Sequence, residues 1–398
     1  MRKLRVRVPS WDRWRLIGAT AGAAAIALCT LCVHLGSLAP RLSPGEQATA
    51  GAARQWHSIL ADPQHAPFKL LTYLANLALP HWPLLAARLP AVLLGAASLT
   101  IFLYIMHRWY GRRTMVFGFA LLLCAAWFLH ISRFAGVEVE YMADVFALIA
   151  VHVGLYDHDD SLPMIFGWMA VNLLLLFIPG MVWLVILNTA LQWRGVLHAW
   201  QQLSLWWRVA TAALVAAGVG GIADTIVRTP SLWTGWLGWP DRLPAWHTVL
   251  RQLWGTLTAV VYQGPHDPAL WLGRLPLLDA FTICMFLAGS IFYATHWRAG
   301  RTQLLAAYFL LGVVLAGLGG PVGISVLVPI IYIVAAGGIA YVLHFWLRTF
   351  PRNILARGTG IVIVSLVLGL SCFYNLKQYF IAWPVNPEVT AVYRRPAP

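Results

Sequence analysis

Acidic side chains are scarce in this chain of 398 residues: 14 Asp and Glu stand against 28 Lys and Arg. Those lying beside long apolar runs are the first candidates for chemistry, because a charge near hydrocarbon is costly and is kept mainly where it is used. Three groups stand out in sequence order. Glu46, Asp62 and Lys69 come first, Arg88 opens the next apolar run, and Arg133, Glu138 and Glu140 cluster a little further on. Carboxylates so placed can accept or donate a proton, and the cations can hold a phosphate. Structural roles fit the same residues. Glu46 follows Ser43-Pro44 and could cap a helix. Arg133 could pair with Glu138 or Glu140 at an interface, and Arg88 and Lys69 could reach lipid headgroups along their own stems. Asp144 follows Glu140 by four residues and would share its helical face. Asp224 falls toward the outer end of its apolar run, within reach of the same region, while Asp241, Asp267 and Asp279 lie beyond it.

Metal binding is the alternative use of the same stretch. His57, His65 and His81 share it with Asp62, and Asp-x-x-His at 62–65 offers two ligands. No third ligand is set by spacing, and Pro63 argues for a turn. Asp157-His158-Asp159 has the Asp-x-Asp form that holds metal and nucleotide in soluble transferases, yet it lies in a tight loop with no nucleotide-binding domain around it. The metal ligands are therefore unassigned, and a divalent ion is the only cofactor these residues suggest. Cys29 and Cys32 are spaced C-x-x-C inside an apolar run, where a thiol stays protonated and packs as a small apolar group.

The elements that position these residues follow from composition. The chain is 60% hydrophobic and 11% charged, with mean hydropathy +0.70, which makes lipid its solvent. A spanning helix needs about 20 apolar residues. A basic N-terminus precedes such a run from about Leu16 to Ala39, read as an uncleaved anchor with the N-terminus inside. Further runs near 84–106, 114–131, 141–156, 162–178, 180–193, 209–227, 277–296, 302–319, 322–343 and 358–375 predict about eleven spans in one membrane-embedded domain covering 1–398. The inner segments this implies hold more than half of the 28 Lys and Arg in far fewer positions than the outer ones. The net charge of +14 is thus spent on orientation and anionic lipid rather than on nucleic acid. Two outer segments are long enough to carry function, 40–83 and the Trp-rich 228–276. The first has apolar residues at helical spacing around Trp56, Ile59 and Leu60, then Leu70, Tyr73, Leu74 and Leu77, as in helices lying on a bilayer surface. The tryptophans of the second suit an interfacial belt or, alternatively, a platform for carbohydrate.

The order SPGEQA, HAPFKLL, ARLPAVLLG, YGRR and SRFAGVE over about the first 140 residues resembles the GT-C-type polytopic membrane glycosyltransferases of the protein O-mannosyltransferase and lipid A aminoarabinose transferase superfamily. The resemblance implies an all-α, GT-C-like bundle whose long first extracytoplasmic loop carries interfacial helices. It implies a sugar taken from a polyprenyl phosphate at the outer membrane face, by a carboxylate base, with cations on the leaving phosphate. Where the family pattern has an Asp-Glu pair with the Asp as proposed base, this chain has Gly45-Glu46. His65 and Pro67 match a His-Pro-Pro-Leu segment, Arg88-Leu89-Pro90 matches the start of the second span, and Arg133, Ala135 and Glu138 match an Arg-x-Ala-x-x-Asp run. The reaction so implied needs a base, cations for the leaving phosphate and a lipid-accessible groove, and the residues can supply them: Glu46 as the base, with Glu138 or Glu140 as a supporting acid or metal ligand. Arg133, Arg88 and Lys69 then hold the donor phosphate, and His65 and, from its place near a helix end, Asp224 assist.

The expectation is therefore a membrane glycosyltransferase moving a sugar from a polyprenyl-phosphate donor to an unknown acceptor, a glycan, lipid or protein, in a bacterial inner membrane. Two other readings come from different classes. A non-catalytic scaffold or lipid-linked-sugar-binding subunit would explain Gly45. A flippase or transporter would need charges along a mid-membrane path, whereas most acids here lie at the edges.

Overall fold

The computed structural model describes residues 10–157, 162–242 and 244–394; His158 and Asp159 of the Asp-x-Asp stretch and the basic residues before Ser10 lie outside it. The regular structure of the described residues is all helix, without strands. A first helix, α1 (Ser10–Cys32), ends where His34 takes a left-handed backbone, seven residues before the expected end of the run at Ala39. The segment after it carries three short helices, α2 (Pro44–Ala52), α3 (Trp56–Ala61) and α4 (Ala66–Ala78). Polarity on α4 is inverted relative to a soluble helix. Phe68, Lys69 and Thr72 are buried, while Leu70, Leu74 and Leu77 are exposed, as suits a helix with lipid on its outer side.

The bundle proper begins with α5 (Pro83–Tyr110), whose 28 residues at 1.5 Å each reach about 42 Å. The run expected as one span over 114–131 is two helices, α6 (Arg112–Leu123) and α7 (Ala126–Arg133), bent by 64°. The break exposes the Ala126 amide, which donates to Asn375 Oδ1 at 3.2 Å. Next come α8 (Glu138–Asp157), α9 (Leu162–Leu175), α10 (Met181–Leu191) and α11 (Trp193–Gln202). The runs at 162–178 and 180–193 are thus a hairpin of 14- and 11-residue helices, which rise about 21 and 16 Å, short of the roughly 30 Å of a hydrocarbon core.

A peripheral helix, α12 (Leu205–Arg228), leads into the Trp-rich segment with α13 (Leu232–Trp236) and α14 (Trp246–Val261). Gly238 packs on Gly180 so closely that a Cβ on Gly238 would lie 2.7 Å from the Gly180 Cα; both glycines have positive φ. This contact docks the segment on the α9–α10 turn. The chain then builds α15 (Ala280–Thr295), α16 (Gly300–Gly317), a 3-10 turn at Ile324–Leu327, and α17 (Val328–Thr349), the most buried long helix. A Cβ on Gly338 of α17 would meet the Met285 carbonyl oxygen at 1.9 Å, so α15 and α17 touch backbone to backbone. After α18 (Ile354–Lys377) come a π turn at Gln378–Ala382, α19 (Trp383–Val385) and α20 (Pro387–Arg394).

All eleven expected runs fold as helix, but not all as single helices of spanning length. Among the described residues, five helical stretches are long and apolar enough to cross a membrane, or six with the bent α6–α7 pair counted as one. The protein is an integral, multi-pass helical membrane protein.

Candidate functional site

Glu46 is the N3 residue of α2 and completes a capping box. The Glu46 amide donates to Ser43 Oγ at 3.2 Å, the Ser43 amide donates to Glu46 Oε2 at 2.8 Å, and Pro44 occupies the first turn. The same carboxylate is fully buried and clamped by Arg88, with Nε to Oε1 at 2.9 Å and Nη2 to Oε2 at 3.2 Å. The Ala135 amide adds a fourth donor, to Oε1 at 3.1 Å. Arg88 spends its remaining N–H groups on the carbonyls of Leu35, Ala39 and Arg41, at 2.8 to 3.0 Å. One ion pair thus ties the segment after α1, the cap of α2, the first turns of α5 and the link between α7 and α8.

Arg133, the last residue of α7, serves the end of α1. Its Nη1 donates to the Thr30 carbonyl at 2.9 Å and its Nη2 to the Val33 carbonyl, favourable placements for a cation at a helix C-terminus. Its guanidinium lies 5.1 Å from the Tyr379 ring and 4.9 Å from Phe380, and Nε has no partner. Glu46, Arg88, His130 and Arg133 line one cavity of about 20 Å³, room for about one water. The chain beyond the last long helix closes it, with Tyr379 and Trp383 stacked 5.8 Å apart. Tyr393 donates to the Ala269 carbonyl at 3.0 Å, and burial, reinforced by the Glu46 charge, pushes its phenol well above the ordinary range. His130 is buried among the rings of Tyr379, Trp271 and Trp383 at 4.6 to 5.0 Å, and its Nε2 has no partner.

A second cluster adjoins the first through the 134–140 segment. Glu140, buried in the first turn of α8, accepts from the Phe68 amide at 3.2 Å through Oε1 and meets His65 Nδ1 at 2.7 Å through Oε2. His65 sits in a left-handed conformation at the N-cap of α4, a strained backbone for a histidine, and its side chain is 13% exposed. One turn on, Lys69 Nζ donates to both Oδ2 and the carbonyl of Asp62, each at 2.8 Å. Lys69 is buried, whereas the Asp62 side chain is 45% exposed.

The remaining candidates fall elsewhere. Glu138 Oε2, Tyr141 Oη and Asp144 Oδ2 form a row at helical spacing on α8, buried and without hydrogen-bond partners, as is Ser325 Oγ on the facing 3-10 turn. Glu138 does not line the Glu46 cavity. Asp224 is 58% exposed on α12 and pairs with Arg228 at 2.9 Å. Asp279 caps α15, and Asp267 accepts from the Ala269 amide in a turn. Among the described residues no three His, Cys, Asp or Glu side chains come together as metal ligands; His57 and His81 are exposed. The tryptophans divide. Trp236 and Trp271 are buried and donate to the carbonyls of Leu176 and Leu275, Trp239 stacks on Trp183, and Trp233, Trp246 and Trp254 are exposed. The residues absent from the sequence reading are His130, Tyr379, Trp383 and Tyr393. Their one sequence signal is the i, i+4 aromatic pair 379/383 just past an apolar run.

No family model and no curated protein matches the sequence. Among the solved structures that match are two of ArnT. The apo state of ArnT from Cupriavidus metallidurans aligns at TM-score 0.53 and 15% identity over 95% of this chain and 77% of that one. ArnT from the same organism bound to undecaprenyl phosphate aligns at TM-score 0.45 and 15% identity over 94% and 77%. ArnT is a GT-C glycosyltransferase, so the all-α GT-C-like architecture expected from the sequence is the one the chain adopts.

Proposed function

We propose that this protein is a GT-C-like glycosyltransferase that takes a sugar from a polyprenyl-phosphate donor at the extracytoplasmic face, with His65 and Glu140 as its proton-accepting pair. The observation that carries this reading is the contact of Glu140 Oε2 with His65 Nδ1 at 2.7 Å, one helical turn from the buried Lys69. A carboxylate on Nδ1 fixes the imidazole tautomer and leaves Nε2 free to accept a proton. In the step proposed, an acceptor hydroxyl or amine attacks the anomeric carbon and gives its proton to His65 Nε2. The bond from that carbon to the phosphate oxygen breaks, and the phosphate leaves as an anion. Lys69 exchanges Asp62, its half-exposed partner, for that phosphate. A single displacement of this kind inverts the anomeric centre.

Glu46 is a poor base in this arrangement, because four donors already occupy its two oxygens. Arg88 and Arg133 are likewise committed to carbonyls, and their role here is to shape the site and keep it positive. This occupancy of Glu46 also favours a second reading, a lipid-linked-sugar-binding subunit that does not turn over. Gly45 separates the two. A Cβ there would meet only the Phe134 Cζ at 4.0 Å, so the backbone accepts a side chain at this position. The test offers a panel of radiolabelled polyprenyl-phosphate sugars to wild type, Glu140→Gln and Gly45→Asp in nanodiscs. Transfer or hydrolysis by wild type, lost in Glu140→Gln, supports the enzyme. Donor binding with turnover only in Gly45→Asp supports the binding subunit, and neither binding nor turnover across the panel sinks both.

A further inference from the structure

The largest described cavity lies far from the charged clusters. It occupies about 780 Å³ where the end of α5 and the start of α6 meet the last turns of α17 and the side of α18. From Arg88 to Tyr110 is 22 residues of one helix, about 33 Å, so the groove opens at the opposite end of the bundle, one hydrocarbon thickness away. Its walls are apolar and aromatic, including Tyr110, Phe117, Leu347 and Ile361, and Val116 on its rim is 62% exposed.

Two basic side chains line it, Arg113 and His344, both exposed and neither in a hydrogen bond or ion pair with another described residue. No acid lines it. A further basic residue, Arg301, lies over the Tyr110 ring at 5.7 Å and over Phe292 at 5.6 Å, on the same walls. An apolar slot between helices lined by unpaired basic groups and no acid fits a ligand with a long hydrocarbon tail and a phosphate head. Such lipid is the solvent at this depth, so occupancy needs no entry path through water.

We infer that this groove is a binding site for an anionic glycerophospholipid of the leaflet opposite the proposed sugar-transfer site, with its phosphate at Arg113 and His344 and one acyl chain against Phe117, Leu347 and Ile361. The site is separate from the transfer reaction and stands whether or not that reaction occurs. The zwitterionic headgroup of phosphatidylcholine carries its own cation to the same place and binds less well.

The test is native mass spectrometry of the full chain, delipidated in mild detergent and incubated with phosphatidylglycerol, phosphatidylcholine or undecaprenyl phosphate. Wild type is expected to hold one phosphatidylglycerol at least tenfold more tightly than phosphatidylcholine. That preference falls at least fivefold in Arg113→Ala/His344→Ala, and Ala340→Trp, which fills the groove, removes the adduct. Arg113→Lys, which keeps the charge on an exposed position, retains most of it and guards against a folding artefact. Equal retention of the two phospholipids, or a preference that survives both the double substitution and Ala340→Trp, overturns the site. Stronger retention of undecaprenyl phosphate, lost in the same variants, overturns the assignment of its occupant.

Discussion

Two sets of buried acids at the same end of the bundle are treated in opposite ways. Glu46 has a donor for every lone-pair direction: an arginine fork and two backbone amides, one of them that of the capping Ser43. Along α8, Glu138 and Asp144 each keep a buried oxygen with no donor at all. Glu140 lies between these extremes, held by one amide and one histidine. A matched carboxylate holds the fold, because removing either partner strands the other in a medium that cannot solvate it. An unmatched one gives the fold nothing and is retained, if at all, for something that visits. Burial alone does not separate these acids; the count of donors does.

The comparison breaks most visibly at the clamp. Arg88→Ala leaves Glu46 buried without its cation and is expected to cost about 3–5 kcal/mol, read as lost thermal stability in detergent, with α2 and the segment after α1 becoming sensitive to protease. At the intermediate site, His65→Asn keeps a residue that tolerates the left-handed backbone but removes the base. Transfer is expected to fall about 10²–10⁴-fold while stability moves by less than about 1 kcal/mol. Ser43→Ala removes one half of the capping box and costs about 1 kcal/mol, a loss that a guanidinium titration resolves. Smallest of all, Glu138→Gln and Asp144→Asn leave stability unchanged or raise it, the opposite sign to Arg88→Ala. A loss of more than about 2 kcal/mol in either would mean that partners outside the described contacts satisfy them.

Much of this frame was legible in the chain. Ser43-Pro44 three residues before a glutamate reads as a cap, and it is one. The apolar runs mark each helical stretch long enough to cross a membrane, whereas the 16-residue α14 lies in a stretch expected as an outer loop. What periodicity does not carry is pairing across distance. Nothing local says that Arg88 meets Glu46 across 42 positions, or His65 meets Glu140 across 75. The bend at Cys124 has no local signal, and the partner that takes up the freed Ala126 amide, Asn375, lies some 250 residues away on another helix. His130 escaped notice inside an apolar run, and Tyr379, Trp383 and Tyr393 because they follow the last span, where pattern reading stops looking for a site. The short hairpin of α9 and α10 read as two spans because hydropathy reports composition, not rise.

The most direct test of the account is single-turnover sugar transfer in nanodiscs, comparing wild type, His65→Asn and Glu46→Gln with rates normalised to folded protein. The account predicts that His65→Asn loses at least a hundredfold in rate with donor binding intact, while Glu46→Gln loses folded protein but transfers at near the wild-type rate per folded molecule. The reverse pattern, a folded but inactive Glu46→Gln beside an active His65→Asn, would return the base to Glu46 and contradict the account.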